Sequence, residues 1–142
     1  MQADEDVVLA AVSQNGLALQ HACDSMKANR VVVLAAVAQN GYALAEACEA
    51  LRSDLEVVMA AVKQNGYALL DAPEGLVSSK EVVMAAVSQA GLALRCAPAD
   101  LRADKDIVLT AAAQNGLALK YAARDLIADP HFVREVVKGF PE

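Results

Sequence analysis

A 25-residue periodicity runs through almost the whole of this sequence and constrains its fold more than any other feature. Single glycines recur at this interval, and a glutamine stands two residues before each of them. These residues are Gly16, Gly41, Gly66, Gly91 and Gly116, with Gln14, Gln39, Gln64, Gln89 and Gln114. The 142 residues therefore hold five full repeats and the beginning of a sixth, a pattern that is typical of solenoid proteins.

We expect one α-repeat domain over residues 1–142, with repeats at approximately 4–28, 29–53, 54–78, 79–103 and 104–128 and a capping helix at 129–142. The first helix of a repeat is apolar almost all round, so a single unit cannot bury it, and neighbouring units must cover one another. The predicted fold class is all-α: a short α-solenoid of five and a half helix–short-helix repeats.

The first helix of each repeat is predicted to begin at a capping residue and to end at the recurring glycine. A side-chain oxygen that can accept hydrogen bonds from the first helical N–H groups recurs at the start. The residues at this position are Asp4, Asn29, Asp54, Ser79, Asp104 and Asp129. The glycine is expected to stop the helix in a left-handed turn, a conformation that costs little only for glycine.

The second part of each repeat is predicted to be a short helix of about six residues followed by a tight turn. Pro73 and Pro98 lie inside this part, where proline removes a backbone hydrogen bond. Where Cys23, Cys48 or Ala123 takes the same position, we expect the helix to run straighter.

The helix of the sixth repeat is predicted to be a polar cap. Arg134 and Glu135 stand where the other repeats have mostly Leu or Met and Ala, and they fall on one side of the helix. Its apolar residues fall on the other side: Phe132, Val133, Val136 and Val137. We expect the polar side to face the place where a seventh repeat would dock.

The repeat motif resembles that of the helical repeats of the DUF4116 family (domain of unknown function 4116). It consists of an acid followed by V-V-[LM]-A-A-V-x-Q-N-G-x-A-L and then by a short A-x-x-x-L-x-x-D segment. The first part stands intact at 56–69 and, with Ala90 in place of Asn, at 81–94. The resemblance covers essentially the whole chain. It implies an all-α repeat fold and supplies no catalytic residues.

Charge and cysteine content exclude several classes of protein. Acidic residues outnumber basic ones by 18 to 12, for a net charge of -6, whereas a protein that binds nucleic acid without sequence preference needs a basic surface. No apolar run approaches the roughly 20 residues of a membrane-spanning helix, and the acidic start lacks the pattern of a secretory signal. Three cysteines favour a reducing intracellular compartment, either cytoplasmic or organellar after removal of a transit peptide.

No catalytic, metal or cofactor site is predicted. Cys23 and Cys48 share a position in adjacent repeats, about 8–10 Å apart by helix spacing and beyond the reach of a disulfide. We expect small buried thiols there, with Cys96 at a more variable position. A zinc site would need four close Cys and His ligands, yet His21 and His131 lie at opposite ends of the array. No nucleophile–base pair or glycine-rich phosphate loop is present, so we expect no enzyme.

The Gln and Asn residues that precede the glycines have two interpretations. They could form a polar stripe that binds extended peptide or RNA, or they could satisfy helix ends and link neighbouring repeats by hydrogen bonds. A modular base reader varies its code residues between repeats, and these residues barely vary. The structural interpretation is therefore favoured.

Positions that vary between repeats form the candidate partner-binding face. They lie directly after the glycine and at the end of the following segment: Gln20, His21, Tyr42, Glu46, Tyr67, Asp71, Arg95, Lys120 and Tyr121. Tyrosine is enriched at protein interfaces, although ordinary half-buried packing also explains these tyrosines.

From these features we predict a non-catalytic scaffold or adaptor for protein–protein interaction. The alternative is a peripheral structural subunit that stays bound in a large assembly, such as an organellar or photosynthetic complex. A nucleic-acid-binding solenoid fits the acidic charge least well. The expected partners are proteins, without nucleic acid, metal or a membrane span.

Overall fold

The structure is a computed structural model that describes residues 2–139, with side chains from 5 to 138. The long helices span Gln2–Gln14, Arg30–Gln39, Leu55–Gln64, Lys80–Gln89, Lys105–Gln114 and Pro130–Gly139. A 3₁₀ helix follows each of the first five: Gly16–His21, Gly41–Glu46, Gly66–Asp71, Gly91–Cys96 and Gly116–Tyr121. The short helices are Asp24–Lys27, Glu49–Arg52, Glu74–Val77, Ala99–Arg102 and Arg124–Ile127. The described residues contain no strand, which confirms the all-α repeat solenoid.

The second part of every repeat is a six-residue 3₁₀ helix followed by a four-residue α-helix. The chain breaks between them whether or not proline is present. Cys48 has φ -64° and ψ 160°, almost the same as φ -69° and ψ 157° at Pro73. The expectation of straighter helices in the repeats without proline is therefore wrong. Proline is accepted because the backbone at this position already has the φ that its ring requires.

The hydrophobic core lies between a layer of long helices and a layer of 3₁₀ helices. Each of the four inner long helices packs against the long helices on either side and against the 3₁₀ helices of its own and the preceding repeat. In the third repeat the core residues are at most 1% exposed: Val57, Val58, Ala61, Val62, Ala68 and Leu69. No polar or charged side chain is buried within the described range, so apolar contact between repeats dominates the stability.

The two ends of the array reveal which neighbour covers which face of a long helix. Val7 is 69% exposed in the first repeat, whereas Val32, at the same position in the second repeat, is fully buried. Val137 is 63% exposed in the last helix, whereas Val87 at that position is fully buried. The preceding repeat therefore covers the position of Val7, and the following repeat covers the position of Val137.

The prediction of a polar cap on the last helix is wrong. Arg134 and Glu135 take the positions of Leu34 and Ala35, which stay half-buried even with a repeat on both sides. The face that a further repeat would cover is apolar: Val133 is 42% exposed there, beside Val137. An apolar groove of about 280 Å³ lies at this end, lined by Leu119, Ile127, Phe132, Val133, Val136 and Val137. Residues 140–142 of the predicted capping helix lie outside the described residues.

Capping residues begin most of the long helices as predicted. The carboxylate of Asp54 accepts hydrogen bonds from the N–H groups of Glu56 and Val57, and Asn29 and Asp104 form equivalent bonds. Asp129 accepts one from His131, at 2.9 Å. Two positions differ from the prediction. Ser79 has the same extended backbone, but its hydroxyl forms no capping bond. Asp4 lies inside its helix, which begins at Gln2.

Candidate interaction surface

The recurring glycines allow close contact between repeats and do not form left-handed helix stops. Within residues 2–139 no glycine has a positive φ, so the predicted stop is wrong. A Cβ built on Gly41 would lie 2.5 Å from the carbonyl oxygen of Ala61 in the next repeat, too close for any other residue without a shift. The same contact joins Gly16 to Ala36, Gly66 to Ala86 and Gly91 to Ala111.

Each glutamine of the second to fifth repeats binds the glycine of the repeat before it. Oε1 of Gln64 accepts a hydrogen bond of 2.6 Å from the backbone N–H of Gly41. Equivalent bonds join Gln39 to Gly16 at 2.5 Å, Gln89 to Gly66 at 2.6 Å and Gln114 to Gly91 at 2.5 Å. We call this contact the Gly–Gln clip. It is the link between neighbouring repeats that the structural interpretation of the glutamines expected.

The asparagine before each glycine ends the long helix and caps the 3₁₀ helix. Oδ1 of Asn65 accepts a hydrogen bond of 3.0 Å from the N–H of Tyr67, and the backbone of Asn65 is extended, with φ -149°. Asn15, Asn40 and Asn115 form the same bond. Ala90 keeps the extended backbone, with φ -143°, but has no side-chain oxygen to cap with.

Ion pairs also link neighbouring repeats, at the starts of the long helices. The guanidinium of Arg30 lies 3.1 Å from the carboxylate of Asp54 and also contacts Glu56. Lys80 lies 3.2 Å from both Asp104 and Asp106. The hydrogen bond from Arg30 lowers the pKa of Asp54 below its ordinary value. These surface pairs align neighbouring repeats and contribute little stability individually.

The predicted partner-binding residues lie at both ends of the 3₁₀ helices. The fifth residue of each 3₁₀ helix is exposed, and its identity changes in every repeat: Gln20, Ala45, Leu70, Arg95 and Lys120. We call these five residues the variable row. Leu70 is 60% exposed, and Tyr42, near the other end of its 3₁₀ helix, is 43% exposed. His21, next to this row, is also exposed.

Other predicted face residues contact a neighbouring side chain. The carboxylate of Glu46 lies 3.9 Å from the ammonium group of Lys27 in the preceding repeat. The guanidinium of Arg95 lies 5.6 Å from the ring centroid of Tyr67, a cation–π contact across a repeat boundary. Lys120 lies 5.1 Å from the ring of Tyr121. Tyr67 and Tyr121 are both half-buried.

Two equivalent grooves open between a short helix and the 3₁₀ helix of the next repeat. Groove 2/3 has a volume of about 360 Å³ and is lined by Glu49, Arg52, Ser53, Leu70, Asp71, Ala72 and Pro73. Groove 4/5 has a volume of about 310 Å³ and is lined by Ala99, Arg102, Lys120, Tyr121, Ala122, Ala123 and Arg124. The arginines were not predicted as site residues, although bases at 27, 52 and 102 follow the repeat spacing.

Groove 2/3 is lined by the carboxylates of Glu49 and Asp71. Burial raises the pKa of Asp71, while the positive charge of Arg52 lowers it and the nearby Glu46 raises it. Nε of Arg52 is buried without a hydrogen-bond partner among the described residues, and so is Nε of Arg102 in groove 4/5. The two grooves therefore lie at equivalent places between repeats and share one arginine position, but they differ in the charges around it.

The opposite surface, formed by the long helices, is a stripe of half-buried apolar residues. It contains Leu34, Met59, Met84 and Leu109, with Ala35, Ala60 and Ala85 beside them. A shallow groove of about 420 Å³ there is lined by Lys63, Ala85, Ser88 and Gln89. This surface is more uniform from repeat to repeat than the variable row.

The cysteines differ in exposure, and none forms a disulfide. Cys48 and Cys96 are half-buried, and burial raises the pKa of the Cys96 thiol. Cys23 is exposed, so the prediction of a buried thiol is wrong there, because none of the described repeats lies before it to cover this position. A hydrogen bond with the hydroxyl of Ser25 lowers the pKa of Cys23.

The part of the chain that the structure describes contains no cluster of three or more metal-ligating side chains. Over the same residues, no helix is both long enough and apolar enough to cross a membrane.

A family model described as domain of unknown function (DUF4116) matches the chain four times, at residues 4–52, 32–77, 54–102 and 79–127. The overlapping matches follow the tandem repeats and together extend over most of the chain. Comparison with curated proteins and with solved structures finds no match.

Proposed function

We propose that this chain, which belongs to the DUF4116 family, is a non-catalytic scaffold for protein–protein interaction. The variable row carries this proposal. Five exposed residues occupy equivalent places on the 3₁₀ helices, and they are polar, small, apolar and basic in turn. A surface of this kind can recognise a partner residue by residue while the repeats beneath it stay the same.

Two features of this surface support protein as the partner. Leu70 and Tyr42 are exposed to 60% and 43%, and apolar and aromatic side chains of this size act as anchors in protein interfaces. The net charge of -6 disfavours binding to the phosphate backbone of a nucleic acid.

The test is affinity capture from the native source with matched surface variants. Tyr42→Ser combined with Leu70→Ser removes both apolar anchors from the 3₁₀ surface. Lys63→Ala combined with Ser88→Ala changes two exposed residues of the long-helix surface and serves as the control. We expect mass spectrometry to identify a protein that the native chain and the control capture and the first variant loses. Capture that depends on the control positions alone, or on neither pair, would contradict the proposal.

The apolar groove at the last helix favours a second candidate, a structural subunit that stays bound in a large assembly. Val133 and Val137 are 42% and 63% exposed there, and permanent interfaces are more apolar than transient ones. Size-exclusion chromatography of the native extract separates the two candidates. A scaffold that exchanges partners elutes partly as the small protein alone, whereas a permanent subunit elutes only with its assembly.

A further inference from the structure

The first two repeat boundaries share a charge pattern that the fourth boundary keeps only in part. At those boundaries a base at the end of the short helix faces the last residue of the next 3₁₀ helix, whereas Val77 takes the place of the base at the third boundary. Lys27 faces Glu46 at 3.9 Å, and Arg52 shares groove 2/3 with Asp71. In groove 4/5 the base is Arg102, but the residue opposite is Tyr121. The base is retained at this boundary and its acid is absent.

Two further basic residues line groove 4/5. Lys120 and Arg124 line it together with Arg102, and no carboxylate is among its lining residues. Asp100 and Asp125 belong to the adjoining short helices but do not line the groove. Every ion pair within 4.0 Å over the described side chains involves other bases. Three clustered cations repel one another unless an anion joins them.

The shape of groove 4/5 indicates which anion fits. Its other lining residues are three alanines and Tyr121, and its volume of about 310 Å³ accommodates one or two side chains of an extended peptide. Lys120 lies 5.1 Å from the ring of Tyr121, which leaves that half-buried ring poorly placed to stack on a nucleobase. Arginine and a carboxylate, by contrast, form strong paired hydrogen bonds.

We infer that groove 4/5 binds carboxylate side chains from an acidic segment of a partner protein. The bound carboxylate lies beside Arg102, in the place that Asp71 takes beside Arg52 in groove 2/3. Lys120 and Arg124 hold a second carboxylate or orient the first. This inference rests on the proposed function and names the chemistry of the partner.

Fluorescence anisotropy with the full chain tests the inference. The probe is a fluorescein-labelled peptide of four consecutive glutamates flanked by glycines, and the reference peptide has glutamine in their place. We expect the glutamate peptide to bind at least about tenfold more tightly than the glutamine peptide. Lys120→Gln combined with Arg124→Gln should weaken glutamate binding by about tenfold or more.

A matched control separates the groove from the net charge. Lys63→Gln combined with Lys138→Gln removes the same two positive charges at exposed positions outside the groove. We expect this variant to bind the glutamate peptide within about twofold of the native chain, because screening limits charge effects to roughly 10 Å in ordinary buffer. Equal weakening in both variants would overturn the inference.

Groove 2/3 allows a gain-of-function test. Glu49→Ala, Leu70→Lys, Asp71→Tyr and Glu74→Arg together give it the basic residues and the tyrosine of groove 4/5, while Ser53 and Pro73 stay unchanged. We expect two peptides to bind each chain of this variant, provided that circular dichroism shows native helicity. One peptide per folded chain would contradict the inference. If this variant does not fold, the double variants of groove 4/5 decide the question.

Three further outcomes would overturn the inference: no preference for glutamate over glutamine, tighter binding of inorganic phosphate, or tighter binding of an oligouridine RNA. The scaffold proposal has a separate test, so the two proposals can fail independently. If the glutamate peptide does not bind while capture still depends on Tyr42 and Leu70, the groove inference is wrong and the scaffold proposal stands. If the variants of groove 4/5 weaken peptide binding as expected but no protein is captured through Tyr42 and Leu70, the groove inference stands and the scaffold proposal is wrong.

Discussion

The Gly–Gln clip and the variable row lie in the same repeats but differ in how much their residues change. The clip pairs Gly41 with Gln64 and uses the same two residue types at each of its four boundaries. The fifth residue of the 3₁₀ helix is different in each of the five repeats. A clip residue must fit a neighbouring copy of the same unit, so the stacking determines its identity. A residue in the variable row is exposed and need not fit such a copy, so its identity is left to solvent or to a partner.

Among the substitutions in the Gly–Gln clip, Gly66→Ala should lower the free energy of unfolding most. The added methyl group would collide with the carbonyl oxygen of Ala86 and lie 3.1 Å from Cβ of Ala90. Backbone cannot yield as a flexible side chain does, so we expect a loss of about 2 kcal/mol or more in the free energy of unfolding. Urea denaturation followed by circular dichroism measures it.

Gly75→Ala is the matched control for that substitution. Gly75 lies in the short helix Glu74–Val77, and a Cβ built there would have no other atom within 4 Å. Alanine should stabilise the chain by about 0.5–1 kcal/mol, because it restricts the unfolded state and favours the helix. The two substitutions thus have opposite predicted signs, and an equal loss in both would refute the close-contact explanation.

Gln64→Ala should produce the next largest effect. It leaves the part-buried N–H of Gly41 without its acceptor, which costs about 1–2 kcal/mol. Gln14→Ala is the control, because no glycine of a preceding repeat pairs with Gln14 in the described structure, and we expect a change within about 0.5 kcal/mol. Similar losses in both variants would mean that the amide acts within its own helix.

Ala90→Asn should strengthen the one boundary that lacks an asparagine cap. The backbone there already has φ -143° and ψ 104°, close to the values at the asparagines, so the new Oδ1 can accept from the N–H of Leu92. We expect the free energy of unfolding, measured by thermal or urea denaturation, to rise by about 1 kcal/mol. A loss would indicate that this boundary packs differently from the others.

Asp54→Asn should have the smallest effect, confined to the ion pairs at the helix starts. Asparagine still caps the helix, so the substitution removes only the charge that faces Arg30. The pKa of Asp54 is lowered from 3.8, so its stabilising effect is complete above that value and disappears as the pH falls through the lower folded pKa. We expect the native melting temperature to exceed that of the variant slightly at pH 7 and the two to converge in acid.

Most of the fold could be predicted from the sequence, because a repeat that is copied in register must also stack in register. The role of the glycines could not be predicted, since a left-handed helix stop and a close backbone contact select the same residue. The 3₁₀ geometry was also missed: Ala43 and Leu44 follow Gly41 in a pattern that suits either kind of helix.

The candidate site was predictable only in part. Lys120 and Tyr121 were recognised because they vary between repeats, but only the stacking brings Arg102 of the preceding repeat into the same groove. The exposed Val137 was likewise assigned to the wrong side, because helical periodicity alone does not tell which neighbour covers a face.

Amide hydrogen exchange at the five repeat glycines tests most directly whether the invariant residues join the repeats. Gly16, Gly41, Gly66 and Gly91 are buried and donate to a glutamine of the next repeat, whereas Gly116 is exposed and position 139 holds glycine in place of that glutamine. We predict slow exchange at the first four and fast exchange at Gly116. In the Gln89→Ala variant, exchange at Gly66 should become much faster, with little change at the other glycines. Equal exchange at all five glycines, or no acceleration at Gly66, would contradict the account.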